Sequence, residues 1–392
     1  MQSGTYSEND AAGARQERFS AACRILEEAI RRHAFPGCAF GVLAAHPGGD
    51  LRFTGARGRF TYNEDAAAVT PETVFDLASL TKVAATTAMA MLLHQRGQLD
   101  LAAPLGELLP EFVAGRAAGD PARRATLAHL LAHSSGLPGY VEFFRSLSTP
   151  EALLEACCRL PLEAEPGARA EYSDPGFILL GRVLQTITGE SLDHWAQREI
   201  FQPLGMTATT FKPPPGARSS IPPTERDTTL RHRTIQGEVQ DENAWLLGGV
   251  AGHAGLFSNA GDLLLFAGEV IAAAAGRGQA RLLDTTTVEL FARRQPPAGS
   301  SRALGWDTPS ENSSSGQYFS LRSIGHLGYS GCSLWIDLEA EIAVVLLSNR
   351  TWPDRRSQEI RLVRPAFHDA IRTDPETVLP VHASLPENSG RN

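Results

Sequence analysis

Strand-like segments lie near both ends of this chain, and a long helical stretch separates them. Residues 38–45 and 51–56 have strand character near the N-terminus, with a predicted turn at 47–50 between them. Residues 318–321, 332–337 and 341–348 have strand character near the C-terminus. Over 125–206 the apolar residues are spaced as in helices, with Gly, Pro, Asn and Asp between the segments. This order predicts one mixed domain built from both termini and a separate all-helical domain.

The predicted domain boundaries follow from these patterns. The mixed α/β domain comprises 18–124 and 225–372, and the helical domain comprises 125–224. The polar segments 1–17 and 373–392 are predicted to be a flexible N-terminal tail and a disordered C-terminal tail. A crevice between the two domains is the expected place for a functional site.

Charge and hydropathy exclude several classes of partner. The formal net charge of -8 is dispersed, without a basic run, which argues against nucleic acid or an anionic membrane as a partner. No stretch approaches the ~20 consecutive apolar residues that a membrane-spanning helix needs. The N-terminal segment lacks the pattern of a secretory signal. We therefore expect a cytoplasmic protein, or a periplasmic one if a leader has been removed.

Ser79 precedes Lys82 by three positions at the start of a long apolar, Ala-rich segment, which predicts a helix over 79–97. Of the 36 basic residues only two are lysines, so an amine that can lose its proton stands beside this hydroxyl in a chain that otherwise uses arginine. On a helix, residues i and i+3 share a face. The spacing is typical of a serine nucleophile activated by a neutral lysine. A serine that merely begins the helix is the alternative.

Two further segments have residues suited to the same chemistry. Tyr172, in a loop before a predicted helix, could present its phenol to the nucleophile with a pKa lowered by a nearby cation, or could simply pack there. Asp174 could be the N-cap of that helix. The Gly-rich segment 325–331 precedes a strand and could leave an N–H free for an oxyanion. A plain hairpin turn there is the alternative.

Four motifs follow one another along the chain: Phe75-Asp76-Leu77-Ala78-Ser79-Leu80-Thr81-Lys82, Leu127 to Leu137, Tyr172-Ser173-Asp174 and the segment around His326. In this order they resemble the motifs of the serine β-lactamase-like hydrolases. These include class C β-lactamases, D-Ala-D-Ala carboxypeptidases and family VIII carboxylesterases. The resemblance extends over about residues 20 to 370, and the segment 237–258 is most similar to a penicillin-binding-protein-4B-type subgroup.

The resemblance implies an α+β fold, with an antiparallel sheet flanked by helices on both faces plus an all-helical domain. It also implies catalytic roles. Ser79 would be the acylated nucleophile, Lys82 its base and Tyr172 the second proton carrier. No cofactor or metal ion is expected.

The same resemblance implies an oxyanion hole at the sheet edge. It would be formed by the backbone N–H groups of Ser79 and Tyr329. His326 would occupy the position of the family's Lys or His, and Gly328 would let the substrate backbone approach closely.

The chain departs from the family pattern at two positions. Asp174 replaces an Asn, so its carboxylate could pair with Lys82 and raise that pKa instead of donating to the substrate. Leu327 replaces a Thr whose hydroxyl helps to bind the substrate carboxylate. These changes favour neutral esters. The predicted function is a carboxylesterase, with β-lactamase or D-Ala-D-Ala carboxypeptidase as the alternatives on small-molecule amides and β-lactams.

Three other interpretations remain to be compared with the structure. His129 and His133, at i and i+4, could hold a metal ion but lack the Glu that a zinc hydrolase needs. Ser134 lies in a sequence similar to a nucleophile elbow, although no strand precedes it. A non-catalytic penicillin- or peptidoglycan-binding sensor on the same scaffold is the alternative from another class.

Overall fold

The computed structural model describes residues 18–45 and 50–377. The predicted N-terminal tail, residues 47–49 of the turn predicted at 47–50, and residues 378–392 of the predicted C-terminal tail lie outside the described residues. Within these ranges, no helix combines the length and apolarity that crossing a membrane requires.

The central feature is a five-stranded antiparallel sheet in the order β2-β1-β9-β8-β7. Two pairs of short strands, β3 with β6 and β4 with β5, accompany it. The strands are β1 (Gly37–Ala44), β2 (Leu51–Gly58), β3 (Phe75–Asp76), β4 (Glu225–Asp227), β5 (Arg233–Ile235), β6 (Phe257–Ser258), β7 (Ser323–Leu327), β8 (Ser333–Asp337) and β9 (Ile342–Ser348).

Helices precede, separate and follow these strands. The α-helices are α1 (Ser20–Arg31), α2 (Ala88–Gln95), α3 (Leu105–Leu108), α4 (Pro110–Val113), α5 (Leu127–Leu131), α6 (Pro150–Cys158), α7 (Asp174–Thr188), α8 (Leu192–Ala196), α9 (Gln202–Leu204), α10 (Glu242–Leu246), α11 (Ala260–Ala274), α12 (Thr285–Ala292) and α13 (Ile360–Arg372). The 3-10 turns are Ala78–Leu80, Pro121–Arg124, Phe143–Arg145 and Pro215–Ser220, and the π-helical turns are Lys82–Thr87 and Gln197–Phe201.

Both faces of the sheet are buried, which explains why β9 reads as an unbroken apolar run. Val344 and Leu346 point into a core beneath α1 and α13, whereas Val345 and Leu347 point into a second core beneath α11. Successive side chains of a strand face opposite sides, so each face needs its own helical cover. The predicted sheet with helices on both faces is confirmed.

The core under α11 continues into the helical region of the chain. Leu130 of α5 and Phe177 of α7 belong to the same buried apolar cluster as the sheet residues Leu334 and Val345. The helices between α3 and α9 therefore pack directly against the mixed region. The boundaries proposed at 124 and 224 stay a prediction.

Two local predictions are wrong. The helix predicted over 79–97 is a 3-10 turn, a π-helical turn and α2, and the Thr81 hydroxyl donates to the carbonyl of Ala78 (2.7 Å) where an α-helix would use backbone N–H groups. The strand predicted at 318–321 is a loop. There the side chain of Asp337 accepts the N–H and hydroxyl of Ser320 in place of a partner strand.

Candidate active site

A sharp turn after β3 presents Ser79. Ala78 has a left-handed backbone conformation (φ 47°), which a residue with a Cβ adopts only when its surroundings hold it. The buried carboxylate of Asp76 does so. Its two oxygens accept the N–H of Ala78 at 2.8 Å and that of Gln240 at 2.7 Å. Burial raises the pKa of Asp76 to about 6, although both hydrogen bonds oppose this shift. Asp76 was not predicted to have a role.

The structure brings Ser79, Lys82 and Tyr172 together. Lys82 Nζ donates to Ser79 Oγ at 3.0 Å, and the Tyr172 hydroxyl donates to the same oxygen at 2.7 Å. Lys82 Nζ also lies 4.8 Å from the centre of the Tyr172 ring. The distances of 3.0 and 2.7 Å to Ser79 Oγ are both within hydrogen-bond range. The serine hydroxyl therefore has two direct neighbours that can exchange protons with it.

The surroundings of Lys82 favour its ammonium form in the resting site. Its side chain is fully buried, and Nζ also donates to Asp174 Oδ1 at 2.6 Å and to the carbonyl of His253 at 3.0 Å. Burial lowers the pKa of Lys82, but Asp174 and Tyr172 raise it more, so the net pKa lies above the ordinary value. Asp174 thus forms the ion pair with Lys82 that the sequence analysis considered.

Tyr172 is a neutral phenol in the same state. Burial raises its pKa, and Asp174 adds to this effect, which together outweigh the lowering by Lys82. The predicted lowering of the Tyr172 pKa is therefore wrong. Asp174 is the first residue of α7, and the cap is instead the preceding Ser173, whose hydroxyl accepts the N–H of Gly176.

The end of β7 forms the opposite wall of the site. The Nδ1 of His326 donates to the carbonyl of Leu327 at 2.8 Å, and its buried Nε2 has no partner among the described residues. Burial lowers the pKa of His326 well below its ordinary value, and Lys82 and Arg302 add to the effect, so this imidazole is neutral. A Cβ at Gly328 would come within 2.3 Å of the carbonyl oxygen of Leu77, so only glycine fits there.

Two residues that line the cavity have backbone N–H groups without a partner among the described residues. Neither the N–H of Ser79 nor that of Tyr329 donates a hydrogen bond to any residue in the described parts of the chain. The Tyr329 side chain is half exposed, and its ring stacks beneath the guanidinium of Arg350 (4.4 Å). Free N–H groups of this kind are what a carbonyl oxygen needs when it gains negative charge.

Arg302 lines the site, and the sequence analysis did not identify it. Its guanidinium lies 5.5 Å from the Tyr172 ring centre and 3.7 Å from the carboxylate of Asp307, and it donates no hydrogen bond within the described residues. Its side chain is 23% exposed. The guanidinium is thus ion-paired with Asp307 but keeps its hydrogen-bond donors free for an anion in the cavity. The isolated basic residue before β7 gave no spacing signal that marked it out.

These groups surround one cavity of about 680 Å³ between the end of β7 and the helical region. This volume is in the usual range for small-molecule sites. Lys82 is fully buried and is not among the described residues that line this cavity. The predicted site residues that line the cavity are Ser79, Tyr172, Asp174, His326, Gly328 and Tyr329.

The other candidate residues serve the fold. His129 Nδ1 accepts the N–H of Thr126 in the cap of α5, and His133 Nδ1 accepts the N–H of Ser173, so each imidazole is used locally. In the described ranges, no group of three His, Cys, Asp or Glu residues is arranged to hold a metal ion. Ser134 is buried and is not among the described residues that line the cavity.

The sequence was compared with models of known protein families. A family described as beta-lactamase matches residues 24–366. The chain belongs to the beta-lactamase family. A protein from Salmonella agona, named provisionally as a D-alanyl-D-alanine carboxypeptidase, is 32% identical over 310 residues, which are 72% of this chain and 70% of the relative.

Solved structures of other proteins are similar to this one over nearly the whole chain. EstCE1, a hydrolase with promiscuous acyltransferase activity, superposes with a TM-score of 0.71 at 22% identity, covering 92% of this chain and 99% of its own. A class C beta-lactamase from Rhodobacter sphaeroides has a TM-score of 0.67 at 25% identity, covering 90% and 98%. The predicted α+β fold is confirmed, and the protein is a serine hydrolase of the beta-lactamase and penicillin-binding fold.

Proposed function

We propose that this beta-lactamase-family protein is a carboxylesterase that acts through an acyl-enzyme on Ser79. The observation that carries the proposal is the position of Ser79 Oγ, which receives hydrogen bonds from both Lys82 and Tyr172. A hydroxyl held between two proton-exchanging groups, beside free N–H donors, has what nucleophilic attack on a carbonyl requires.

In this proposal each group has one task. Ser79 Oγ attacks the ester carbonyl while Lys82 receives its proton, and Tyr172 passes a proton to the departing alcohol. The N–H groups of Ser79 and Tyr329 stabilise the tetrahedral oxyanion. Water then attacks the acyl-enzyme through the same groups in reverse, since a group that accepts a proton in one half-reaction donates it in the other.

The chemistry of the walls favours esters over β-lactams. Leu327 offers no hydroxyl to a substrate carboxylate, and Asp174 is occupied by Lys82 and has no amide to donate. A substrate that depends on those contacts leaves its own polar groups unpaired in the cavity, which lowers its rate. A neutral ester depends on neither contact.

We expect kcat/KM for a short-chain aryl ester to exceed that for a chromogenic cephalosporin by at least about 100-fold. Initial rates on the two substrates, measured with the same preparation, check this. Leu327→Thr provides a matched variant, because the restored hydroxyl should narrow the ratio. A wild-type preference for the cephalosporin contradicts the esterase proposal.

A D-Ala-D-Ala carboxypeptidase is the second candidate, and Arg302 is the observation that favours it. The peptide substrate ends in a carboxylate, and Arg302 has hydrogen-bond donors to spare at the cavity wall. Relatives that are 32% identical carry the same activity in their provisional names. A bidentate guanidinium–carboxylate contact could replace the hydroxyl that Leu327 lacks.

Arg302→Gln separates the two candidates. If the substrate is a peptide carboxylate, we expect KM for a D-Ala-D-Ala peptide to rise about 10- to 100-fold while kcat/KM for a neutral aryl ester stays within about threefold, because only the anion loses a charged contact. Steady-state kinetics on both substrates measure this. Arg159→Gln, an exposed arginine on the surface (73% exposed), is the control. If both variants change KM for the peptide equally, Arg302 does not bind the substrate carboxylate.

A further inference from the structure

The ammonium of Lys82 has no capacity to accept a proton in the resting site. Its three N–H bonds point to three acceptors: Ser79 Oγ at 3.0 Å, Asp174 Oδ1 at 2.6 Å and the carbonyl of His253 at 3.0 Å. A charged lysine has three donors and no lone pair. It must therefore lose a proton before it can take one from Ser79, and the structure has to supply a destination for that proton.

We propose that Asp174 takes up this proton, so that Lys82 and Asp174 act as one unit that shares a single proton. The inference rests on the proposed role of Ser79 as nucleophile. It rests on geometry in two respects. The contact between Lys82 Nζ and Asp174 Oδ1 is the shortest of the three, and both side chains are shielded, with exposed fractions of 0% and 14%.

The proton balance closes without any external base. In the resting pair, –NH3+ faces –COO-; transfer along the 2.6 Å contact gives –NH2 facing –COOH, with no change in net charge. The amine then accepts the Ser79 proton as Oγ bonds to the carbonyl carbon. When the bond to the leaving group breaks, the new ammonium gives a proton to the leaving oxygen through Tyr172. Asp174 finally returns its proton to Lys82, and the Ser79 hydrogen has moved to the alcohol.

The surroundings disfavour separated charges at this pair. Holding two ions in a site that is shielded from water costs free energy. The neutral pair of amine and carboxylic acid is therefore less unfavourable here than it would be in solution. No carboxylate other than Asp174 contacts Lys82 Nζ within the described residues. The neutral groups around the pair are Tyr140, Tyr172, His133 and His326, and the charged ones are Arg302 and Asp241, which accepts a hydrogen bond from His253.

An asparagine at this position could not do the same. A side-chain amide has no oxygen that holds a proton at ordinary pH. In such a site the lysine must release its proton to solvent. The two arrangements therefore predict different dependences of acylation on pH.

The test is the pH profile of kcat/KM, which reports acylation, for an aryl ester. In the wild type the shared proton never leaves the pair, so we expect a profile that is flat within about twofold from pH 6.5 to 8.5. In Asp174→Asn the reactive amine forms only by loss of a proton to water, so kcat/KM should rise about tenfold per pH unit below the pKa of Lys82. Asp174→Glu, which keeps a carboxylate, should keep the flat profile at a lower rate.

The outcomes are separable. A wild-type profile that rises with pH overturns the inference by itself, even if the Asn variant fails to fold. Flat, superimposable profiles for the wild type and Asp174→Asn overturn it as well. Ser79→Ala tests the underlying function: if that variant still turns over the ester, the proposed nucleophile is wrong, whereas an inactive Ser79→Ala with pH-insensitive Asp174→Asn removes only the role of Asp174.

Discussion

Replacing Ser79 with alanine lowers kcat/KM for an aryl ester by at least about 10^4-fold, because no other group in the site takes over nucleophilic attack. What remains is the contribution of the two unpaired N–H groups and of substrate binding. Initial rates measure the loss. Intact-protein mass spectrometry, after rapid mixing with the ester, should show a transient acyl adduct on the wild type and none on the variant.

Ser134→Ala is the matched control for this experiment. Ser134 also lies next to a helix and is buried, but the described residues around the cavity do not include it. We expect its kcat/KM to stay within about threefold of the wild type. Activity that survives at Ser79→Ala and is lost at Ser134→Ala would reverse the assignment. A permanent adduct on the wild type without product release would indicate a sensor and not an esterase.

Replacing Lys82 with methionine is expected to lower kcat/KM by about 10^3- to 10^4-fold, since the proton of Ser79 then has no amine to receive it. Methionine keeps the length and flexibility of the side chain. The same change leaves Asp174 as a shielded carboxylate without its cation, which should cost about 3 kcal/mol of unfolding free energy. Ester kinetics and urea denaturation measure the two effects separately.

The double variant Lys82→Met/Asp174→Asn distinguishes loss of chemistry from loss of fold. With the carboxylate removed, no unpaired charge remains, so we expect most of the lost stability to return while activity stays low. Recovery of ester hydrolysis together with stability would mean that Lys82 acts only by holding the fold.

Local sequence patterns predicted the sheet well because its strands have a physical signature in the sequence. In β9 the residues 342–347 are all apolar, since both faces of the strand are buried, and β8 precedes it across a short turn. The segment after Ser79 was harder. Its apolar composition indicates burial but not the type of turn, and the hydrogen bond of Thr81 to Ala78 that accompanies the 3-10 turn depends on the rotamer of one side chain.

The candidate site divides in the same way. Ser79 and Lys82 are three residues apart, so spacing alone placed them together. Asp174 and His253 are 92 and 171 positions from Lys82, and no periodicity links them. The resemblance suggested the contact of Asp174 with Lys82, whereas nothing in the sequence pointed to the carbonyl of His253 as a second acceptor. Arg302 likewise could not be recognised from the sequence, because only the fold brings it beside the Tyr172 ring.

The position of β1 in the sheet has a consequence for synthesis on the ribosome. β1 pairs with β2 on one side and with β9, some 300 residues later, on the other. While the intervening chain emerges, one edge of β1 has no hydrogen-bonding neighbour, and such an edge invites pairing with other chains. Assembly of the central sheet is therefore a late and slow event, and a nascent chain that stalls before β9 is a natural client for chaperones.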